Sequence, residues 1–334
     1  MRGPDVTIIV STYDRADWLA VSLQSILTSA AFAEIHGIAT RVIVVDDGSP
    51  TDDSRQIAER LRVDYIRNPV NDGRRTPSVA RVLGLADVDS AYVAFFDDDD
   101  VMLPRWIPLH VAALRAGHDI CSSSFWRTDE ELAIMRRVVP MPATMGDLLA
   151  GRVSVNDQSL MRTPTAREIT WDPDLENVME YAAWIELMYR GRSFHRIREP
   201  TFLYRRHRAN ISDQLDDRDR ILRLELQDRY RQRVLARDGA LPGATPRWRR
   251  AASRTKRALR RLVDPYGDQE SLPVSPPAEP HPWIRSPMRL VTHEEPVAGQ
   301  GEGADMSTDL GTGPDSAAAH ARRLDGREYH PSSG

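Results

Sequence analysis

Four consecutive aspartates, Asp97 to Asp100, have the types and spacing most suited to chemistry. The residues before them, AYVAFF, are partly β-branched and aromatic, which is typical of a buried strand. Adjacent carboxylates repel one another and resist losing water. At this spacing they suit a hard divalent cation that also binds phosphate oxygens, such as Mg²⁺ or Mn²⁺. A solvated acidic loop is the alternative interpretation when such a charge run stands alone.

Two other predicted strands also end in polar residues. VTIIV at 6–10 is followed by STYDR, and RVIVVDD at 41–47 is followed by GSPTDD. In open α/β sheets, ligands bind outside the carboxyl ends of the strands. Three polar strand ends in one predicted parallel sheet therefore indicate a single binding site, which favours cation binding by the aspartates.

Strands and helices alternate through the first hundred residues. DWLAVSLQSILTSAA has apolar residues at helical spacing, and further helices are predicted around SRQIAERL and SVARVLGLA. The alternation predicts an α/β fold with a mostly parallel sheet flanked by helices. Farther on, we predict a helix from LPRWIPLHVAALRAG, a strand from ICSSSFW, an amphipathic helix closed by Gly191, an extended segment from FHRIREPTFLYRRH and a long charged helix.

In this order, the segments resemble family-two glycosyltransferases of the GT-A fold, which is Rossmann-like. The resemblance is carried by VTIIVSTYDRADWLAVSLQSIL, VIVVDDGSPTDDS, NDG with SVARVLGLA, AYVAFFDDDDVMLPRW, WDPDLENVMEYAAWIEL and FLYRRHRANIS. It covers residues 5–213. It implies metal-dependent, inverting transfer of a sugar from a nucleotide diphosphate donor to a hydroxyl acceptor. UDP is the expected nucleotide, with dTDP and GDP left open.

The resemblance also implies a role for each matching residue. Glu180 matches the second acid of the family's Glu-Asp pair and would be the general base for the acceptor hydroxyl. Asp99 matches the last acid of the Asp-x-Asp motif and, with His207, would bind Mn²⁺ or Mg²⁺. The residues expected to bind the nucleotide sugar are Thr12, Tyr13, Asp46, Arg81, Asp97 and Asp98.

The sequence departs from the family pattern at some of these positions. Met179 stands in for the first acid of the Glu-Asp pair, so the base rests on Glu180 alone. Asp14 replaces the usual Asn of the Thr-Tyr-Asn run, and Val82 replaces the Asn of the Ala-Arg-Asn segment. Structural alternatives stay open: Glu180 could be a solvated helix residue, and His207 an ordinary surface histidine.

Two other functions are compatible with part of the sequence. FFDDDDV also fits the first motif of haloacid-dehalogenase-like phosphatases, in which Asp97 would be the nucleophile. That chemistry normally needs a downstream lysine, and the only lysine of the chain is Lys256, in a basic segment. The second alternative is a nucleotide-sugar-binding protein without catalysis.

Length and composition constrain the domain organisation. The chain has 334 residues, 41% of them hydrophobic, which is enough for a sizeable core. Cys121 is the single cysteine, which excludes an intramolecular disulfide and a multi-cysteine zinc site and fits a cytoplasmic protein. Together with the resemblance, this predicts a glycosyltransferase domain at 1–240, with a nucleotide-binding half at 1–105 and an acceptor half with a closing helix at 106–240.

Charge is distributed unevenly beyond that domain. Residues 241–263 are predicted as a basic helix, with eight Lys or Arg and no acid between Arg247 and Arg261. Residues 264–334 are rich in Pro, Gly, Ser and Glu without periodicity, which predicts a disordered tail. The composition of segment 246–263 favours peripheral contact with the inner face of an anionic membrane. A segment that only aids solubility or that contacts nucleic acid would have the same pattern, and we expect no nucleic-acid partner. No apolar run reaches the roughly 18 residues of a membrane span.

Overall fold

The computed structural model describes residues 3–69, 71, 73, 76–139, 144–151, 156–208, 210 and 216–243. The predicted tail at 264–334 and all but the first three residues of the segment 241–263 lie outside this range. In chain order the elements are β1 (Val6–Thr12), α1 (Ala16–Ile35), β2 (Thr40–Asp46), α2 (Asp53–Leu61), β3 (Asp64–Arg67), α3 (Ser78–Ala86), β4 (Tyr92–Asp97), β5 (Val101–Met102), α4 (Trp106–Arg115), β6 (Ile120–Thr128), β7 (Ile134–Val138), α5 (Met145–Leu149), β8 (Leu160–Arg162), α6 (Thr163–Ala166), a 3-10 helix (Pro173–Val178), α7 (Met179–Tyr189), β9 (Phe194–Arg205) and α8 (Asp217–Asp238).

A single sheet of nine strands organises the described residues. The strands follow the order β3-β2-β1-β4-β8-β6-β9-β5, and β7 pairs with β6. β1 runs parallel to β2 and β4, and β2 runs parallel to β3. β8 is antiparallel to both β4 and β6, whereas β6 and β9 are parallel again. The predicted α/β fold is confirmed, with uninterrupted parallel pairing in the first half of the sheet.

The central strands are continuous apolar runs because helices cover both faces of the sheet. Ile8 and Val10 belong to a core cluster that includes Leu23 of α1 and Trp106 of α4. Ile9, which points the other way, belongs to a second cluster with side chains of α3 and α7. This alternation follows from strand geometry. It explains why the short runs could be recognised as strands from sequence.

Gly84 permits α3 to lie close against the sheet. A Cβ atom at this position would be 2.7 Å from Cγ2 of Ile9 and 3.0 Å from Cγ2 of Val45, which are closer than ordinary contacts. The absence of a side chain therefore sets the distance between α3 and β1. Arg81, one turn earlier, is also a buried residue of α3.

A smaller cluster joins α5, α7 and α8. It includes Leu148, Ile185, Leu226 and Tyr230. α8 begins with a capping box in which the Asp216 and Asp219 side chains each bond the other's backbone N–H, and its C-cap is Gly239 with φ of 70°. Through this cluster, the predicted charged helix packs beside α7, the helix that carries Glu180.

Among the described residues, α1 is long and apolar enough to cross a membrane by length and composition. Core helices pass the same test. Leu19, Leu23 and Ile26 of α1 are completely buried in the first core cluster. We therefore interpret α1 as a core helix.

Candidate active site

A cavity of about 500 Å³ lies at the carboxyl ends of β1, β2 and β4. Its walls include Thr12 at the end of β1, Asp47 just after β2 and Asp97 at the end of β4. Arg81 of α3 and Glu180 of α7 also line it. The three polar strand ends therefore meet at one cavity, as expected for an open α/β sheet.

The four aspartates do not continue as one strand, because β4 ends at Asp97. Oxygen atoms of Asp97, Asp99 and Asp100 lie within 4.8 Å of one another, an arrangement that could hold a metal ion. Asp98 points to a different partner, since Oγ1 of Thr12 donates to its Oδ2 at 2.8 Å. Asp98 is thus held by the end of β1 as well as by the aspartate turn.

Two residues far along the chain hold these carboxylates in position. Nε2 of Gln158 donates to Oδ2 of Asp97 at 2.7 Å and to Oδ2 of Asp100 at 2.6 Å. The backbone N–H of Arg205 donates to Oδ1 of Asp100 at 3.0 Å, and its Nε donates to the carbonyl of Asp99 at 2.9 Å. Neither Asp100 nor Gln158 could be assigned a role from sequence, because no local pattern links them.

The close packing of these acids changes their protonation. Burial, and after it the charge of Asp99, raises the pKa of Asp97 to about 6 and the pKa of Asp98 to about 7. The same two causes raise the pKa of Asp100 well above its usual range. The Asp97 side chain keeps 33% exposure, so water in the cavity screens part of the effect there. A divalent cation would relieve the repulsion between these carboxylates. A ligand set of carboxylates with one histidine fits a hard cation.

Two side chains, those of Arg15 and His207, contact the aspartates of the turn. Nη1 of Arg15 donates to Oδ1 of Asp98 at 3.2 Å and to Oδ2 of Asp99 at 3.0 Å. Nε2 of His207 lies 2.9 Å from the same Asp99 oxygen, and its ring centroid lies 4.1 Å from that of Trp18. The His207 side chain is only 1% exposed. The structure therefore brings together both residues predicted to bind metal, and His207 is not a surface histidine.

Glu180 occupies the first turn of α7, where Arg81 fixes its orientation. Nη1 of Arg81 donates to Oε1 of Glu180 at 3.0 Å, and its Nη2 lies 3.8 Å from Oδ1 of Asp97. The buried guanidinium lies over the rings of Phe95 and Trp171, 5.5 and 4.9 Å from their centroids. Arg81 thus connects the carboxylate predicted as base with the first of the four aspartates.

Asp157 is a further carboxylate of the cavity wall that sequence reasoning missed. Its carboxyl lies in the electrostatic field of Glu180, Arg81 and Asp97. Burial, followed by the charge of Glu180, raises the pKa of Asp157 well above its usual range, and Arg81 opposes the shift. Asp157 precedes the three-residue strand β8 in the segment NDQS, where no periodicity marks a functional position.

The predicted nucleotide contacts near β1 and β2 are placed differently from one another. Tyr13 lines the cavity and is 49% exposed. Asp46 is completely buried: its Oδ1 accepts from the backbone N–H of Ser49 at 2.8 Å, and its Oδ2 accepts from the hydroxyl of Tyr65 at 2.7 Å. Of these two neighbouring aspartates, Asp47 lines the cavity and Asp46 does not. Adjacent residues at a strand end point in opposite directions, and the sequence could not say which faces the cavity.

Met179 is a core residue with two polar partners. The Oγ1 of Thr76 and the Oγ of Ser78 lie 2.9 and 2.7 Å from its sulfur, and both hydroxyls donate to it. The side chain is only 2% exposed. A residue that replaces the first acid of a Glu-Asp pair is therefore accommodated as part of the packing between α3 and α7.

Comparison with known proteins finds a matching protein family and several relatives. The family model described as glycosyl transferase family 2 matches residues 7–183, just over half of the chain. An uncharacterized glycosyltransferase of Rickettsia bellii is 31% identical over 135 residues, which are 39% of this chain and 18% of that protein. The succinoglycan biosynthesis protein ExoO of Rhizobium meliloti is 30% identical over 103 residues, which are 31% of this chain and 28% of that protein. The chain thus spans less than a third of these curated relatives.

Solved structures with a similar fold include TarS of S. aureus. The crystal structure of TarS 1–349 in complex with UDP has a TM-score of 0.53 and 17% identity, and the alignment covers 69% of this chain and 65% of that chain. The complex of TarS 1–349 with UDP-GlcNAc has a TM-score of 0.51 and 15% identity, with coverage of 69% and 66%. At this identity the likeness concerns the fold, which is of the GT-A type as predicted.

Proposed function

This chain belongs to glycosyl transferase family 2, and we propose that it transfers a sugar from a nucleoside diphosphate donor to a hydroxyl acceptor with inversion at the anomeric carbon. One observation carries the proposal: Glu180 and the aspartates 97–99 line the same cavity. Such a transfer needs a carboxylate to take the acceptor proton and positive charge to stabilise the departing diphosphate. Both requirements can be met within this one cavity.

We assign the roles as follows. Glu180, oriented by Arg81, takes the proton of the acceptor hydroxyl while that oxygen attacks the anomeric carbon from the face opposite the diphosphate. Asp99 and His207 would hold the divalent cation, with Asp97 and Asp100 close enough to contribute. When bound, Mn²⁺ or Mg²⁺ would place positive charge beside the leaving diphosphate.

The donor is proposed to be a UDP-sugar. The similarly folded TarS 1–349 has been crystallised with UDP and with UDP-GlcNAc, and we extend the uridine nucleotide to this chain. Tyr13 and Asp47 line the cavity next to the end of β1 and would contact the nucleoside. Asp46 would act indirectly by holding the turn through Ser49.

The acceptor and the cellular location are part of the same proposal. ExoO is named for succinoglycan biosynthesis, which favours a saccharide or lipid-linked saccharide acceptor in polysaccharide assembly. A cytoplasmic enzyme fits a nucleotide-sugar donor, and the basic segment 246–263 would bring it to the inner face of the membrane. That segment lies outside the described residues.

A donor screen tests the proposal. Nucleotide release from UDP-, dTDP- and GDP-sugars would be followed with Mn²⁺, Mg²⁺ or a chelator, using the wild type, Asp99→Asn and Glu180→Gln. Asp64→Asn, an aspartate 53% exposed on β3, is the matched control. We expect metal-dependent release that both site variants reduce by about 100-fold or more and the control leaves unchanged. Metal-independent turnover unaffected by Asp99→Asn would overturn the site, and phosphate release from simple phosphoesters without sugar transfer would favour a phosphatase.

A further inference from the structure

Glu176 has a strained backbone at the wall of the cavity. It lies inside the 3-10 helix with φ of 38° and ψ of -112°, a conformation that glycine adopts readily and other residues rarely do. Glu176 lines the cavity, and its side chain is 29% exposed. Strain of this kind persists only where the surrounding contacts hold it in place. Neighbouring contacts must therefore keep Glu176 in this conformation.

The residues on either side of Glu176 are anchored in different parts of the core. Leu175 packs against the second core cluster, which includes side chains of α3 and α7. Val178 is only 3% exposed and belongs to the smaller cluster that joins α5, α7 and α8. The chain has to turn sharply between these two anchors. The strained backbone of Glu176 lies at that turn.

The first turn of α8 bonds the same segment. Nη1 of Arg218 donates to Oε1 of Glu176 at 2.9 Å, and its Nη2 donates to the carbonyl of Asp174 at 3.3 Å. Nδ2 of Asn177 donates at 2.7 Å to Oδ2 of Asp219, a residue of the capping box. An exposed ion pair contributes little to the stability of a protein by itself. We therefore interpret these bonds as contacts that position Glu176 and Asn177.

Glu176 and Asn177 line the part of the cavity wall that continues along the chain to Glu180. The proposed nucleoside contacts, Tyr13 and Asp47, come instead from the end of β1 and from the residue just after β2. An acceptor hydroxyl has to reach Glu180 to lose its proton, so the rest of the acceptor lies beside the neighbouring wall. Carboxylates accept hydrogen bonds from hydroxyl groups, and an amide both donates and accepts, which fits the hydroxyl groups of a sugar.

We propose that Glu176 and Asn177 bind hydroxyl groups of a saccharide acceptor, and that Arg218 of α8 is a positioning residue for both. This inference rests on the proposed sugar transfer. The strained turn places the carboxylate and the amide at the cavity wall next to the base, and α8 keeps them there. Binding and deprotonation of the acceptor thus belong to one continuous segment, residues 176–180.

Thermal unfolding of the full chain tests the strain. Glu176→Gly and Glu176→Ala both remove the carboxylate, but only glycine relieves the backbone at positive φ. We expect Glu176→Gly to unfold at a Tm at least about 2 °C above that of Glu176→Ala. Glu225, an exposed residue within α8, is the control position, where glycine should unfold below alanine. A glycine variant at position 176 that unfolds at or below the Tm of the alanine variant would overturn the strained turn.

Acceptor kinetics test the binding role. The active donor of the nucleotide-sugar screen would be combined with octyl β-D-glucopyranoside or octyl β-D-galactopyranoside as the acceptor probe. We expect Glu176→Ala and Arg218→Gln to raise the KM for the glycoside about tenfold relative to the KM for the donor, because each removes a hydrogen-bonding or positioning contact. The matched control is Arg220→Gln, a residue of the same helix turn that is 71% exposed and pairs with Asp217. It should match the wild type.

The possible results separate this inference from the proposed function. A wild type that releases no nucleotide from any nucleotide sugar defeats the proposed function. A wild type that hydrolyses the donor but transfers to neither glycoside overturns the saccharide acceptor alone. If either site variant leaves the ratio of the two KM values unchanged, the acceptor role of the turn is overturned. An equal rise in both KM values has the same meaning, because a general structural effect predicts it.

Discussion

Nε2 of His207 lies 2.9 Å from Oδ2 of Asp99, although the two residues are 108 positions apart in the chain. The backbone N–H of His207 donates to Oδ1 of Asn210 at 2.7 Å, and Trp18 packs against the ring. These contacts fix the imidazole beside the aspartate turn. The histidine that follows β9 and the acid that follows β4 are thereby available to one bound ion.

Asp99→Asn tests that ion directly. We expect the variant to bind Mn²⁺ at least about tenfold more weakly than the wild type, because an amide oxygen replaces an ionised ligand in a carboxylate set. Titration followed by electron paramagnetic resonance of free Mn²⁺, without nucleotide, measures the affinity. Asp64→Asn should bind as the wild type does. Equal affinity in Asp99→Asn would place the ion elsewhere.

Arg15 is expected to compete with the cation. Its guanidinium contacts both Asp98 and Asp99, so a cation bound to these carboxylates must displace that charge or share the carboxylates with it. We predict that Arg15→Gln increases Mn²⁺ affinity in the absence of nucleotide by about tenfold.

The matched control for Arg15→Gln is Arg105→Gln, which removes an exposed ion pair with Glu199. The same Mn²⁺ titration serves for both variants. Weaker Mn²⁺ binding by Arg15→Gln would show that Arg15 positions the carboxylates for the cation instead of competing with it.

The stabilisation of the protein by Mn²⁺ should increase with pH. Asp97 and Asp98 have folded-state pKa values raised to about 6 and about 7, so the folded protein holds protons that the unfolded chain releases. Their contribution to the free energy of unfolding is therefore fully present below the unfolded pKa of about 4 and is lost as pH rises through about 6 to 7. A bound cation offsets this loss.

Thermal unfolding with Mn²⁺ or with a chelator, at pH 5.5 and at pH 8, measures this linkage. We expect the gain in Tm from Mn²⁺ to be clearly larger at pH 8. An equal or larger gain at pH 5.5 would contradict the proposed coupling between the cation and the ionisation of these aspartates.

Met179→Leu should lower the free energy of unfolding by about 1 kcal/mol, because leucine fills a similar volume but removes the sulfur that accepts from Thr76 and Ser78. The two hydroxyl oxygens lie 2.8 Å apart, so one hydroxyl can donate to the other when the sulfur is removed, which limits the loss. Urea denaturation measures the change. Met135→Leu, at a position 53% exposed, is the control and should be neutral. A neutral Met179→Leu would mean that these sulfur contacts contribute nothing to stability.

Some features of the fold and site were predictable because their signal is local. VTIIV, RVIVVDD and AYVAFF are apolar runs followed by polar residues, and they became β1, β2 and β4 with their carboxyl ends at one cavity. Short strands such as β5 and β8 carry two and three residues, too few for a pattern to be read. The sequence also did not determine the direction of a single side chain at a strand end. Asp47, and not the adjacent Asp46, lines the cavity, whereas Asp46 bonds the backbone N–H of Ser49.

The amino-acid sequence by itself determined the longer elements, their order and the acids that end β1, β2 and β4, since these depend on residue type and spacing over a few positions. Only the tertiary structure decided which distant groups meet. Arg81 reaches Glu180 across 99 positions, and Gln158 reaches Asp97 across 61. Such contacts depend on how helices pack against the sheet and on where loops return to it, which no local period records.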